Sequence, residues 1–290
     1  MPDPLSPTAR LRTLSLELAR LREAAGLTRS EAAKAAGWTP NKVTRIEARE
    51  WRQPKLLDVE VLLDVYGVTD PDRRAELLRL AREARQRGWW TGYRASQGYQ
   101  TYIGLEAEAA VIRTWEQGFL PGLLRTPQYS RALVAARDPE LPPETVADLV
   151  ALTEERQHTL LNRPRPTAVW AILDESVLHR TVGDTATMVE QITHLHKVAQ
   201  VDHVTVQVLP LAVGAHPGID GGFTIITFRR SVTDPEIAFT ETPAGEFWIE
   251  DADGVDRMIR RFGRLKEAAL SRSASLSLIA ARLADLHRRT

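Results

Sequence analysis

The sequence predicts an all-α head of five helices followed by a larger α+β, or mixed α/β, domain. Three observations carry that expectation. Leucines recur at helical spacing from Leu11, and cap and stop residues divide the first 87 residues into short helices. The stretch 88–101, GWWTGYRASQGYQT, mixes Gly, aromatic and polar residues with no helical or strand period. Beyond residue 167 apolar runs of strand length alternate with helical patterns. The expected division is a head over 1–87, a Trp-containing linker over 88–101 and a second domain over 102–290.

Leu11, Leu14, Leu18 and Leu21 mark the first helix, which Gly26 ends. Thr28 and Glu31 form a T-x-x-E capping box for the second. Its alanines, Ala32, Ala33, Ala35 and Ala36, keep it thin, and Gly37 stops it in a conformation that favours a residue without Cβ. Thr39 and Pro40 supply an N-cap and a first-turn proline for the third. Val43 and Ile46 share its buried face, leaving Asn41, Lys42, Thr44, Arg45 and Arg49 outward. Pro54 opens a fourth helix through Leu56, Val59, Leu62 and Tyr66. Asp70-Pro71 starts a fifth, expected to reach about Arg87. Trp51 either stacks on the DNA-facing surface or, the favoured reading, covers the small core. Arg79, Arg82, Arg85 and Arg87 form a cationic stripe that suits either a helix C-terminus or DNA.

A tight helix pair with this outward set points to nucleic acid, the alternative being a polar, solvated helix face in a small helical bundle. Arg and Lys match guanine acceptors, Asn matches adenine, and Lys, Thr and Arg also hold phosphates. The charge distribution agrees. Net charge is zero, with 38 basic and 38 acidic residues. Residues 1–55 nonetheless hold 11 Lys/Arg against 6 Asp/Glu, so the head is basic and the remainder acidic.

Residues 11–66 resemble the Xre/phage-repressor type of helix-turn-helix domain. The pieces that carry the resemblance are LRTLSLELARLREAAGLT, AAKAAGWTPNKVTRIE and REWRQPKLLDVEVLLDVYGV. The resemblance implies a DNA-binding regulator, usually a dimeric repressor on a palindromic operator. It places base reading on Asn41, Arg45 and Pro40, the last by apolar touch only. It places phosphate contacts on Thr28, Arg29, Lys42, Thr44, Arg49 and Arg52. Arg29 stands where the family usually has a phosphate-binding Gln. It also implies an ion pair between Arg22 and Glu47. Residues 101–286 resemble the uncharacterised domain that follows such heads in many actinobacterial regulators. YIGLEAEAAVIRTWEQGFLPGLLRTPQYSRAL, ILDESVLHRTVGD, VQVLPLAVGAHPGIDGGFTIITF and ALSRSASLSLI carry that match. It implies regulation, often beside a gene for a very small protein, and brings no agreed chemistry. An antitoxin-like hub that captures a small protein or metabolite is the competing expectation.

In the second domain, one helix is expected over 103–116, with Leu105, Ala109, Ile112 and Trp115 on one side. Thr126-Pro127 starts another, and 144–162 a third. Strands are expected at 168–173, 204–209, 223–228, 237–240 and 247–249, and helices from Asp184, over 253–269 and over 273–288. The last helix, with Leu276, Ile279, Leu283 and Leu286, is read as core, with an exposed dimer seam as the alternative. The paired Trp89 and Trp90 are expected to dock the linker against the second domain or another copy.

Chemistry is sparsely signalled. Glu175, Arg180, His216 and Glu241 fall in loops at strand ends and are the candidate ligand pocket; the alternative is that Glu175 caps a helix, Arg180 pairs with it or with Glu241, and His216 fills a tight hairpin. No catalytic set is expected. The glycines of GAHPGIDGG lack phosphate-loop spacing. His194 and His196, two apart on a helix, point to different faces, so no metal site and no cofactor are expected. The absence of cysteine excludes disulfides and thiolate metal sites and suits a reducing compartment. With no signal-peptide pattern and no membrane-length apolar run, a cytoplasmic, nucleoid-associated protein is expected.

Overall fold

The computed structural model describes residues 6–48, 50–51, 53–228, 236–242 and 244–288. The chain forms two compact units, 1–91 and 92–290. In the first, five helices follow one another: α1 Pro7–Ala24, α2 Arg29–Ala35, α3 Pro40–Glu47, α4 Leu56–Val65 and α5 Pro71–Glu83. Leu14, Leu18, Ala32, Ala33, Val43, Ile46, Leu62, Leu63 and Leu77 close a single apolar core between them. Ala32 and Ala33 are fully buried, which lets α2 and α3 approach closely.

Local chemistry explains most of these boundaries. Thr28 accepts from the Glu31 backbone N–H at 3.2 Å while Glu31 accepts from the Thr28 N–H at 2.8 Å, completing a capping box. Gly37 takes a φ of +69° after α2, where a β-carbon would be strained. Asp70 and Thr126 each cap a helix whose first residue is proline. Thr39 occupies the N-cap of α3 but its side chain makes no capping bond. Pro40 accounts for that start instead, because its ring presets the helical φ. The fifth helix ends at Glu83 rather than near Arg87, its carbonyl ladder closing in turns through Ala84 and Gln86.

The second unit opens with α6 Gln97–Glu106, then β1 Ala109–Glu116. Helices α7 Pro127–Arg137 and α8 Pro143–Leu161 lead to β2 Ala168–Asp174. A short α9 Ser176–His179 and α10 Thr185–Val198 precede β3 Val204–Leu209. Then come β4 Phe223–Phe228, β5 Ile237–Thr242 and β6 Gly245–Ile249, followed by α11 Ala252–Ala268 and α12 Arg272–Arg288. The six strands form one sheet in the order β3-β2-β1-β4-β5-β6. β1, β2 and β3 are parallel; β4, β5 and β6 run antiparallel to their neighbours. One face packs Trp115, Ile172, Phe223 and Ile225 against Phe262 and Leu265 of α11. Ala171, Val206 and Val208 join a second core with Ile192 and Leu195 of α10 and Ile279 and Leu286 of α12. The last helix is thus core on one side.

The expected helix over 103–116 is corrected. The helix ends at Glu106, and 109–116 is a strand hydrogen-bonded on both sides, to β2 and β4. A central strand covered on both faces need not alternate polar and apolar residues. Ala109, Ile112 and Trp115 are all buried, and their three-residue spacing imitates a helical stripe.

Candidate nucleic-acid interface

Helix α3 has one buried and one open side. Val43 is fully buried and Ile46 is 2 % exposed, both in the core with Leu14, Leu18 and Leu62. Fixing those two residues turns Asn41, Thr44 and Arg45 to solvent. Asn41, Lys42 and Arg45 share a groove with Trp51, Gln53 and Lys55. Trp51 packs on the core and donates from its indole to Ser15 at 3.2 Å, which fixes the far wall of that groove.

The end of α3 is anchored by Glu47, whose side chain is 2 % exposed. One carboxylate oxygen accepts from Arg22 Nε at 2.6 Å, the other from Arg22 Nη2 at 3.1 Å and from Arg29 Nε at 2.7 Å. Arg22 also donates to the Leu27 carbonyl at 2.7 Å. Burial alone would raise the Glu47 pKa, but hydrogen bonds from Arg22 and Arg29 outweigh it and hold the carboxyl below its ordinary value. The same hydrogen bond raises Arg22. One carboxylate thereby ties together the last turn of α1, the first residue of α2 and the last residue of α3.

The remaining cations are less free than their sequence positions suggest. Lys42 Nζ donates to Asp58 at 2.8 Å and sits 3.6 Å from the centre of the Trp38 ring. Asp58 and Trp38 escaped the sequence reading, since no period or motif links either to Lys42. Arg45 is 57 % exposed and meets Glu50 at 3.6 Å, an exposed contact of small worth. The Thr44 hydroxyl donates to the Pro40 carbonyl at 3.1 Å. The Thr28 hydroxyl serves the capping box, and Arg29 remains 54 % exposed beside Glu47. Pro40 is exposed at the first position of α3. Arg49 and Arg52 lie outside the described residues.

Residues 13–77 match the model of a helix-turn-helix domain. Residues 99–281, more than half of the chain, match the model of DUF5753, a domain of unknown function. The chain belongs to the DUF5753 family. No curated protein and no solved structure matches it. The DUF5753 chain thus carries a helix-turn-helix head of the kind that binds DNA, ahead of a domain without assigned chemistry.

Within the DUF5753 domain, the four candidate pocket residues take separate partners. Glu175 accepts from the Leu211 N–H at 2.9 Å and lies 3.6 Å from His179. His216 lies edge-on to Trp115 at 5.1 Å, accepts from the Gly218 N–H at 3.2 Å and stands 3.9 Å from Asp174. Glu241 is paired with Arg137, and Arg180 is exposed just beyond α9. Among the described residues no group of three or more His, Asp or Glu is placed to hold a metal ion. No described helix is long and apolar enough to cross a membrane.

Proposed function

We propose that this chain is a sequence-specific transcriptional regulator, acting as a dimeric repressor in the cytoplasm. Helix α3 enters the major groove of a roughly palindromic operator. Asn41 and Arg45 read base edges, with Pro40 touching apolar surface. Thr28, Arg29, Lys42, Thr44, Arg49 and Arg52 hold phosphates. The observation that carries this reading is the two-sided character of α3, with Val43 and Ile46 sealed in the core and Asn41 and Arg45 open to solvent. Glu47 adds to it by fixing the helix angle from both neighbours. Footprinting of the full chain on genomic fragments tests the proposal. A protected site of two half-sites, about 34 Å apart, is expected; uniform, sequence-blind protection would rule it out.

A second reading has support of its own. Leu211 and Ile219, in the connection between β3 and β4, are 58 % and 60 % exposed. Large apolar side chains left exposed along one connection suit capture of a protein partner. On this reading the DUF5753 domain holds a small protein encoded nearby and so sets DNA affinity. L211S and I219S should release that partner without altering DNA binding by the chain alone.

A further inference from the structure

The sheet of the DUF5753 domain gathers one polar cluster that neither reading above uses. The chain runs outward from β1 to β2 and β3, then crosses to β4 on the other side of β1. The sheet order therefore reverses between β1 and β4. Crevices at the carboxyl ends of parallel strands, at such a reversal, are where open α/β sheets bind ligands. Glu116 ends β1 at that point, opposite the start of β4.

Alternation along the strands decides what faces the crevice. Trp115, Phe223 and Ala238 pack against α11. Thr114, Glu116, Thr224 and Glu241 therefore face the other side of the sheet. Thr224 donates to Thr114 at 3.1 Å, and Thr114 lies 3.5 Å from Glu116 Oε1. Gly222 closes the same edge. A β-carbon there would stand 3.1 Å from Glu116 Oε2 and 3.0 Å from the Trp115 carbonyl.

Most charges here are already committed. Arg156 holds Glu106 with two bonds of 2.8 Å and also donates to the Tyr99 hydroxyl. Arg137 and Glu241 close on one another. Arg125 and Glu116 differ. Arg125 lies 4.9 Å above the Phe119 ring and donates from Nε to the Leu120 carbonyl. Its two terminal nitrogens bond to no other described residue. Each charge perturbs the other, yet they form no ion pair. Both residues are largely buried but keep part of their surface open to solvent.

We propose that Arg125 and Glu116 form a binding site for a small zwitterion of amino-acid size, with the guanidinium fork holding its carboxylate and the Glu116 carboxylate its ammonium. A plain anion would meet Glu116, and a plain cation would meet Arg125 and Arg156; a molecule with both charges satisfies both. The Tyr99 ring, itself stacked parallel to Tyr102 at 6.2 Å, supplies an aromatic wall beside Arg156.

The site also predicts its own pH dependence. Burial pushes the Glu116 carboxyl up to about 7, with Arg125 pulling it down and Glu241 pushing it up. Tyr129 faces it from α7 and is held above its ordinary value by burial, so it stays neutral. An ammonium group needs the ionised carboxylate. Affinity must therefore climb as pH rises through about 7, with proton release on binding below that.

The test uses the full chain without DNA, so its outcome is independent of both readings above. Each of the standard amino acids is added at millimolar concentration, with acetate and inorganic phosphate as anion-only probes. Melting temperature and tryptophan fluorescence are followed for wild type, R125Q and E116Q. At least one amino acid should raise the melting temperature, and its N-acetylated and amidated forms should not. Both variants should lose at least about tenfold in affinity, or about 1.4 kcal/mol, and E116Q should lose the pH dependence. The substitution in E116Q keeps the side-chain shape, so it carries the test if R125Q fails to fold. The proposal is overturned if no amino acid shifts the melting temperature, if acetate or the blocked forms bind equally well, or if E116Q retains full affinity.

Discussion

Glu47 and Arg22, 25 residues apart, meet through two hydrogen bonds of 2.6 and 3.1 Å at the junction of three helices. Their side chains are 2 % and 8 % exposed. A pair so placed adds little net stability against an apolar replacement, but losing one partner strands a buried charge. Its use in this head is directional: α3 cannot rotate about Val43 and Ile46 while its last residue is held from α1 and α2.

E47Q should therefore destabilise the head by about 3 kcal/mol, the lower range for breaking a buried pair from one side. Urea unfolding followed by circular dichroism reads this. DNA affinity should fall for all sequences alike, because the angle of the whole helix is disturbed. An unchanged urea midpoint would remove the anchoring role.

The same carboxylate predicts an acid response. Its folded pKa lies below its unfolded value of 4.5. Its contribution is therefore complete above pH 4.5 and is lost as pH falls through the lower, folded value. Wild type should lose stability steeply below pH 4.5, and E47Q should show a shallower loss over that window. Parallel pH profiles of the two would contradict the assignment.

Lys42 is held by Asp58 and Trp38 beside the proposed reading face. If it also reaches a phosphate, K42A should weaken all sequences and lower the salt slope of DNA binding by about 1. D58N should strengthen binding, since it removes a competing anion and leaves the lysine in place. A purely structural lysine would leave the salt slope unchanged in K42A. Titrations at several salt concentrations separate the two.

Arg156 and Glu106 form the deepest ion pair described in the second unit, with side chains 4 % and 1 % exposed. R156M leaves Glu106 without its bidentate partner and should cost about 3–5 kcal/mol in urea unfolding. Replacing both, as E106L with R156M, should recover much of that loss. Equal loss in single and double variants would show that the packing of Arg156 on Tyr99 and Tyr102, not its charge, supplies the stability.

The parts of this fold that were legible in sequence are those made by neighbours in the chain. The Thr28–Glu31 box, Gly37 and Pro40 each act within one turn, so their residue types announce the geometry. The strands expected at 168–173 and 204–209 were legible because short apolar runs carrying Val, Ile and Trp have few other uses. Strand β1 was not, since burial on both faces removes the alternation that identifies a strand. That miss hid Glu116, whose place at a strand end has meaning only once 109–116 is a strand. Lys42 with Asp58 was equally hidden: they lie 16 residues apart, and only the packing of α3 on α4 brings them together.

Selection from a pool of randomised duplexes, run with wild type, N41A and R45A, shows whether Asn41 and Arg45 of α3 read sequence. One enriched motif of two half-sites is expected for wild type. In R45A and N41A, preference should relax at one base pair per half-site, by about 1–3 kcal/mol, with the rest of the motif intact. An identical motif in all three proteins, or none with wild type, would contradict it.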